Sequence, residues 1–306
     1  MHLLIPFAFC SSEGCAQALP KLNLPHLTHL LSRLAPQPPD TADLFSLSTP
    51  HERAMARAMG MPVQDGLIPW AALQAHTIGA WGLITPCHLQ VATNHITMSG
   101  QALPDFSEEE SRTLMAAMQP YFEEDGIRLR YENPMLWLAQ GDIFNGLATA
   151  SLDRVAGRNV EHWMPRSAQA APLRRLQNEM QMLLYTHPVN DARAARGVLP
   201  VNSFWLSGTG SLTTVRTPTT TDPKVLDQLR APALTEDWAA WSQAWQALDT
   251  TECAALLQAI DQGHPVQLTL CGEASAQTFV TQPQPLLRRF MNLFGTQPAY
   301  LMLDKL

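Results

Sequence analysis

The segment "FSEEESRTLMAAMQPYFEEDGIRLRYENPMLWLA", from Phe106 to Ala139, constrains the fold most, because it marks both ends of a helix and the hairpin that follows. Ser107 stands as N-cap with Glu110 three residues on, the spacing of a capping box, and Gly126 lies just past the helix end. "IRLRYE" alternates Ile127, Leu129 and Tyr131 with Arg128, Arg130 and Glu132, which is the period of a half-buried strand. "PMLWLA" reads as its neighbour across the Asn133-Pro134 turn. With "PCHLQVATNHITM", rich in β-formers, ahead of the helix, the stretch predicts a β-α-β-β module forming a small layered subdomain.

On either side, strands alternate with helices. "LLIPFAF" reads as a first buried strand, "CSSEG" as a turn, and Leu24, Leu27, Leu30, Leu31 and Leu34 place a helix after them. The proline-rich "APQPPDTADLFSLSTP" predicts a loop or linker. It leads into a helix over "HERAMARAMGM" with Ser48 or Thr49 near its start, and a short helix is expected within "PWAALQAHTIGAWGL". Later, Leu173, Leu176 and Met180 share one face of a helix that ends near His187-Pro188. "LPVNSFWL" then reads as a buried strand and Gly208-Thr209-Gly210 as a tight turn at its end. Trp238, Trp241 and Trp245 line one side of an amphipathic helix, most simply a core face, before the helix "TTECAALLQAIDQG" and the strand "PVQLTL". This order predicts an α/β core sheet flanked by helices, with an inserted α+β lobe. We expect residues 1–84 and 211–306 to form the core, and 85–210 the lobe with its return helix and strand.

The 306 residues are 46 % hydrophobic and 15 % charged, a globular composition. A net charge of -7 argues against nucleic acid as a partner, since phosphate-backbone affinity comes from clustered Lys and Arg. Five scattered cysteines without a CxxC pair fit a reducing, cytoplasmic setting. "MHLLIPFAFC" lacks the basic flank of a signal, and no run approaches the ~18 apolar residues of a membrane span, so no membrane association is expected.

Several residues carry potential chemistry. Gly208-Thr209-Gly210 follows a strand but lacks the third glycine of a dinucleotide loop, because Thr213 stands there. His88 and His95, seven apart on a strand, point to opposite faces, and no Asp, Glu or Cys nearby completes a metal set. The densest group is Arg174, Arg175, Asn178, His187, Asn190, Arg193, Arg196 and Asn202. Guanidinium, imidazole and amide donors so gathered suit a small phosphate or carboxylate. The same donors suit a helix C-terminus and the loop after it, and both readings stand.

The order "PCHLQVATNHITM", acidic helix, "GIRLRYENPMLWLA", then "LRRLQNEMQMLLYTHPVNDARAARGVLPVNSFWLSGTG" resembles the archaeal-type cofactor-independent phosphoglycerate mutases, over about residues 85–210. The resemblance implies the alkaline-phosphatase-like core, with two divalent metals on Asp and His ligands and a Ser or Thr that accepts the phosphoryl group. The sequence departs from that pattern. Where the family's first strand ends in Asp-Gly, this one runs through Pro6-Phe7-Ala8 to Ser11 and Ser12. Where the family has an Asp-His pair after a late strand, this one has Cys271-Gly272-Glu273. The chain is also similar to degenerate bacterial relatives labelled as regulators of pathogenicity factors. We therefore expect a non-catalytic relative without metal or other cofactor, binding a small anion or a protein partner in a regulatory role. The alternatives are an active mutase or phosphatase with unrecognised ligands, and a purely structural interaction protein.

Overall fold

The computed structural model describes residues 1–92, 95–99, 103, 105–281 and 298–306. It divides into two units: residues 1–45, 49–61 and 218–306 form the first, and residues 46–48 and 62–217 the second.

The first unit opens with β1 (His2–Ile5), α1 (Glu13–Ala18), α2 (Pro25–Arg33), β2 (Leu34–Pro36), β3 (Asp40–Thr41) and α3 (Pro50–Ala58). The second contains α4 (Trp70–Ala75), β4 (Gly79–Cys87), β5 (Leu89–Val91), β6 (Ile96–Met98), α5 (Glu108–Glu124), β7 (Arg128–Asn133), β8 (Leu136–Gln140), α6 (Leu152–Val155), α7 (Ala171–Tyr185), α8 (Pro188–Ala195) and β9 (Ser203–Leu212). The first unit resumes with β10 (Lys224–Val225), α9 (Arg230–Leu234), α10 (Trp238–Leu248), α11 (Ala254–Asp261), β11 (Gln267–Cys271), β12 (Ser275–Thr281) and α12 (Tyr300–Leu303). The chain passes between units at 45/46, 48/49, 61/62 and 217/218; the sequence expectation set the lobe at 85–210. No helix among the described residues is long and apolar enough to cross a membrane.

The first unit is an α/β layer structure. Its mixed sheet runs β10-β1-β11-β12-β2, with β3 also on β12; β1 lies parallel to β10 and β11, and the remaining pairs are antiparallel. One face buries Leu3, Ile5, Leu268 and Leu270 against Leu27 and Leu30 of α2, Trp241 and Trp245 of α10, and Leu256 of α11. The other face packs Leu4 and Cys271 on Ala54 and Met55 of α3. Trp241 and Trp245 are fully buried and meet edge to face at 6.2 Å, so the tryptophan stripe is core. Thr49 caps α3 in a capping box with Glu52. The proline-rich segment is no mere loop: β2 and β3 lie within it, held by pairing to β12.

The second unit is built on an antiparallel sheet, β7-β8-β4-β9. Alternation sends Trp137, Ala139, Phe204 and Leu206 toward α5 and α7, and Leu138 and Trp81 toward Ala71, Ala72 and Ala75 of α4. The capping box of Ser107 and Glu110 starts α5 as predicted. The helix expected in "PWAALQAHTIGAWGL" stops at Ala75, and from Gly79 the chain is strand. Of "PCHLQVATNHITM", residues 93 and 94 lie outside the described residues; the rest ends β4 and forms the β5-β6 hairpin.

Gly208-Thr209-Gly210 corrects the tight-turn expectation. These residues lie inside β9, where the register against β4 slips between Trp81 and Leu83, so two residues face one in a β-bulge. Gly210 has φ 146, and a Cβ there would come within 3.0 Å of Pro69 Cβ and 3.1 Å of the Leu67 carbonyl oxygen. Gly146, at φ 74, faces open space. Gly146→Ala should therefore cost only its backbone strain, about 1 kcal/mol, and Gly210→Ala more, up to about 3 kcal/mol. Paired denaturant titrations test this; equal midpoints would show that the crowding at Pro69 is easily relieved.

Candidate functional site

Two places carry the chemistry that the sequence points to, one in each unit.

In the second unit, the stretch from His187 to Asn202 is not a helix end followed by a loop. Pro188 opens a second helix, α8, at a position where its missing N–H costs nothing. His187 is the N-cap, its Nδ1 accepting from the Val189 amide at 3.2 Å. Buried Asn190 donates to the carbonyls of Leu184 and Val201, both at 2.8 Å, and accepts from the Val201 amide at 2.9 Å. Its amide group thus joins the end of α7 to the approach to β9. Asn202 exchanges two bonds with the backbone of Leu89, 2.7 and 2.8 Å, as a paired strand would.

Arg193 has no exposed side-chain surface. Its Nε donates to the Leu199 carbonyl at 2.8 Å, one terminal nitrogen to Glu110 at 3.0 Å, and its charge lies 5.3 Å from the centre of the Phe106 ring. Arg196, half exposed, bonds the other oxygen of Glu110. Glu110 was legible as a capping residue, but its tie to two arginines on α8 was not. Burial by itself would raise the Glu110 carboxyl; the Ser107 amide, Arg196 and Arg193 together outweigh it and hold the group below its ordinary value of 4.5.

The other predicted residues do not join this cluster. Arg174 donates to the carbonyls of Pro165 and Ser167 at 2.8 and 3.2 Å. Arg175 pairs with Asp125 and Glu179, and Asn178 is exposed on the same helix. His88 Nδ1 donates to the Pro200 carbonyl at 2.9 Å.

In the first unit, the parallel strands β1 and β11 bring their carboxyl ends side by side, where ligands of open α/β sheets gather. β1 leaves through Pro6 and Phe7, and Phe7 has φ 55, a left-handed conformation costly for a residue with a Cβ. The turn is held by the Ala8 amide on the Cys271 carbonyl at 2.8 Å and by the Trp241 indole on the Phe7 carbonyl at 3.0 Å. Glu273 accepts from both the amide, at 2.9 Å, and the hydroxyl of Ser11. Ser12 caps α1 by accepting from the Cys15 amide at 3.3 Å. The terminal segment packs here too: the Ser275 hydroxyl donates to the Leu306 carbonyl at 2.8 Å.

Within neither unit do three His, Cys, Asp or Glu side chains come together as metal ligands do. Positions 93–94, 100–102, 104 and 282–297 contain none of these residue types, so all such side chains are among the described residues. The pair of divalent metals implied by the family resemblance therefore does not fit the side chains of either unit.

Glu110→Gln should strand the Arg193 charge and cost about 3 kcal/mol at neutral pH, the low end for breaking a buried pair, because the Leu199 carbonyl stays. Since folding lowers the Glu110 pKa, its contribution is present above the unfolded value and is lost as pH falls through the folded one. The stability gap between wild type and variant should thus close below about pH 4.5, measured by urea denaturation across pH; a gap constant down to pH 2 would remove the ion pair as its cause.

The sequence matches no protein-family model. Over 119 residues it is 27 % identical to a probable 2,3-bisphosphoglycerate-independent phosphoglycerate mutase of Geobacter sulfurreducens. That match spans 38 % of this chain and 29 % of the relative, so it covers less than a third of the relative's length. Among solved structures, a cofactor-independent phosphoglycerate mutase from Thermoplasma acidophilum aligns with a TM-score of 0.36 at 13 % identity, covering 99 % of this chain and 98 % of the other. A Pyrococcus horikoshii protein aligns with a TM-score of 0.45 at 11 % identity, covering 91 % and 86 %. The relationship supported, on the sequence match, is a phosphoglycerate-mutase-like one.

Proposed function

We propose that this is a phosphoglycerate-mutase-like protein on an alkaline-phosphatase-like core, one that does not carry out metal-dependent phosphoryl transfer and acts in regulation by binding. The observation that carries the reading is the side-chain chemistry at the ends of β1 and β11. Pro6-Phe7 stands where the resemblance implies Asp-Gly, and Phe7 keeps the left-handed backbone that glycine adopts without penalty. Cys271-Gly272-Glu273 stands where it implies Asp-His, leaving one carboxylate, which is already bonded to Ser11. Two divalent ions need several oxygen or nitrogen ligands with a matching negative charge, and one carboxylate does not supply them. Without the metals, the charge on a transferring phosphoryl group has no stabiliser of comparable strength.

The residues of the expected anion site have protein partners: Asn190, Arg193, Asn202 and Arg174 bond backbone or Glu110, and His187 caps α8. We assign this unit a bracing role. A small phosphate or carboxylate would have to displace Glu110 from Arg196 or Asp125 from Arg175, the two arginines that keep exposed surface.

Purified protein should hold no stoichiometric metal and show no phosphoglycerate turnover in added Mn²⁺; stoichiometric metal with turnover would overturn the non-catalytic reading. In calorimetric titration with 3-phosphoglycerate or inorganic phosphate, the bracing role predicts no heat. Heat that disappears in Arg196→Ala would instead assign the stretch to anion binding.

A further inference from the structure

We propose that β7 is a self-association edge, at which two copies of this chain pair antiparallel and join their second-unit sheets into one across a two-fold axis at Arg130. The sheet β7-β8-β4-β9 has two outer strands. β9 is buried along most of its length, whereas Arg128, Arg130, Glu132 and Asn133 of β7 are exposed and Leu129 and Tyr131 only half-buried. Among the described residues β7 pairs with β8 alone, so its outer side presents the row of amide and carbonyl groups that a further strand takes up. The slip in register against β8 falls between Tyr131 and Asn133 and leaves the strand regular from Arg128 to Tyr131.

Charged side chains on an edge strand ordinarily keep other strands away, so the occupant is decided by how these charges are spaced. In a two-fold antiparallel pair, residues equally far on either side of the axis face each other. An axis at Arg130 sets Arg128 of each copy opposite Glu132 of the other, and Leu129 opposite Tyr131 on the face that packs toward α5. Moving the axis half a residue either way would set Glu132 or Arg130 against Leu129, so the pattern selects one register. Arg128 makes no ion pair among the described residues, and Glu132 has Arg130 at 3.9 Å, the outer limit of one. Each end of β7 thus offers the charge that the other end lacks. The residue that meets its own copy is Arg130, and its charge is already turned inward: both terminal nitrogens donate to the Ala75 carbonyl at 3.3 Å, and the guanidinium lies 5.2 Å from the centre of the Trp81 ring.

One six-residue strand makes a small interface, so the dimer exchanges with monomer and grows with concentration. In sedimentation equilibrium at low salt, the full-length protein should pass from the mass of one chain toward twice that mass as concentration rises, and added salt should weaken the association. Amide exchange over residues 128–132 should slow in step with it. Arg128→Glu and Glu132→Arg each set like charges opposite each other, and each should weaken self-association at least about tenfold. Mixed in equal amounts, the two variants should associate with each other as wild type does with itself, because each supplies the charge that the other lacks. The proposal is overturned if wild type stays a monomer up to about 1 mM, if either variant associates as wild type does, or if the mixture associates no better than the variants alone. Circular dichroism shows whether each variant folds; where one does not, the wild-type exchange map decides, and protection that grows with concentration elsewhere than at 128–132 overturns the proposal.

Discussion

A positive charge with no surface of its own must be answered from within, because stranding a buried ion costs several kcal/mol even after the protein relaxes. In the second unit that charge is Arg193, and much of the lobe is arranged by it. Glu110 meets it from α5, 83 residues earlier in the chain, while the same carboxylate closes the capping box at Ser107 and takes Arg196. Helix start and tertiary contact are thus one constraint, satisfied or lost together. Asn190, one turn before Arg193, applies the same logic to the backbone, bonding both the end of α7 and the residue that leads into β9. Apolar packing holds α7 on the sheet, but these directional bonds fix where α8 begins and how β9 enters it.

What could be read from the sequence was what depends on neighbours in the chain. The helix start at Ser48 or Thr49, which proves to be Thr49, the capping box Ser107-Glu110, the alternation in "IRLRYE" and the tryptophan stripe all appear where local spacing put them. α8 escaped because Pro188 reads as a stop signal after α7, and only the turn at His187 shows that it is a start. β2 and β3 escaped because proline-rich edge strands carry no pattern; they exist through pairing with β12, more than two hundred residues later. The bulge in β9 escaped for a like reason: a Gly-x-Gly looks like a turn until the strand opposite it is known. Of the eight residues singled out for anion binding, each position was chosen by its donors, and donors do not announce whether their acceptor is a ligand or a carbonyl of the same chain.

The end of β1 shows how backbone geometry and chemistry can part company. Phe7 carries a strain of about 1 kcal/mol in its left-handed conformation, and the structure retains it through bonds that involve no ligand: Trp241 on the Phe7 carbonyl and Ala8 on Cys271. The turn is therefore a property of the sheet and of α10 packed upon it. Once the fold itself holds the turn, the residues around it need not be metal ligands for the turn to persist. What stands there is a serine bonded to a glutamate and a helix cap, groups suited to hydrogen bonding rather than to holding two divalent ions.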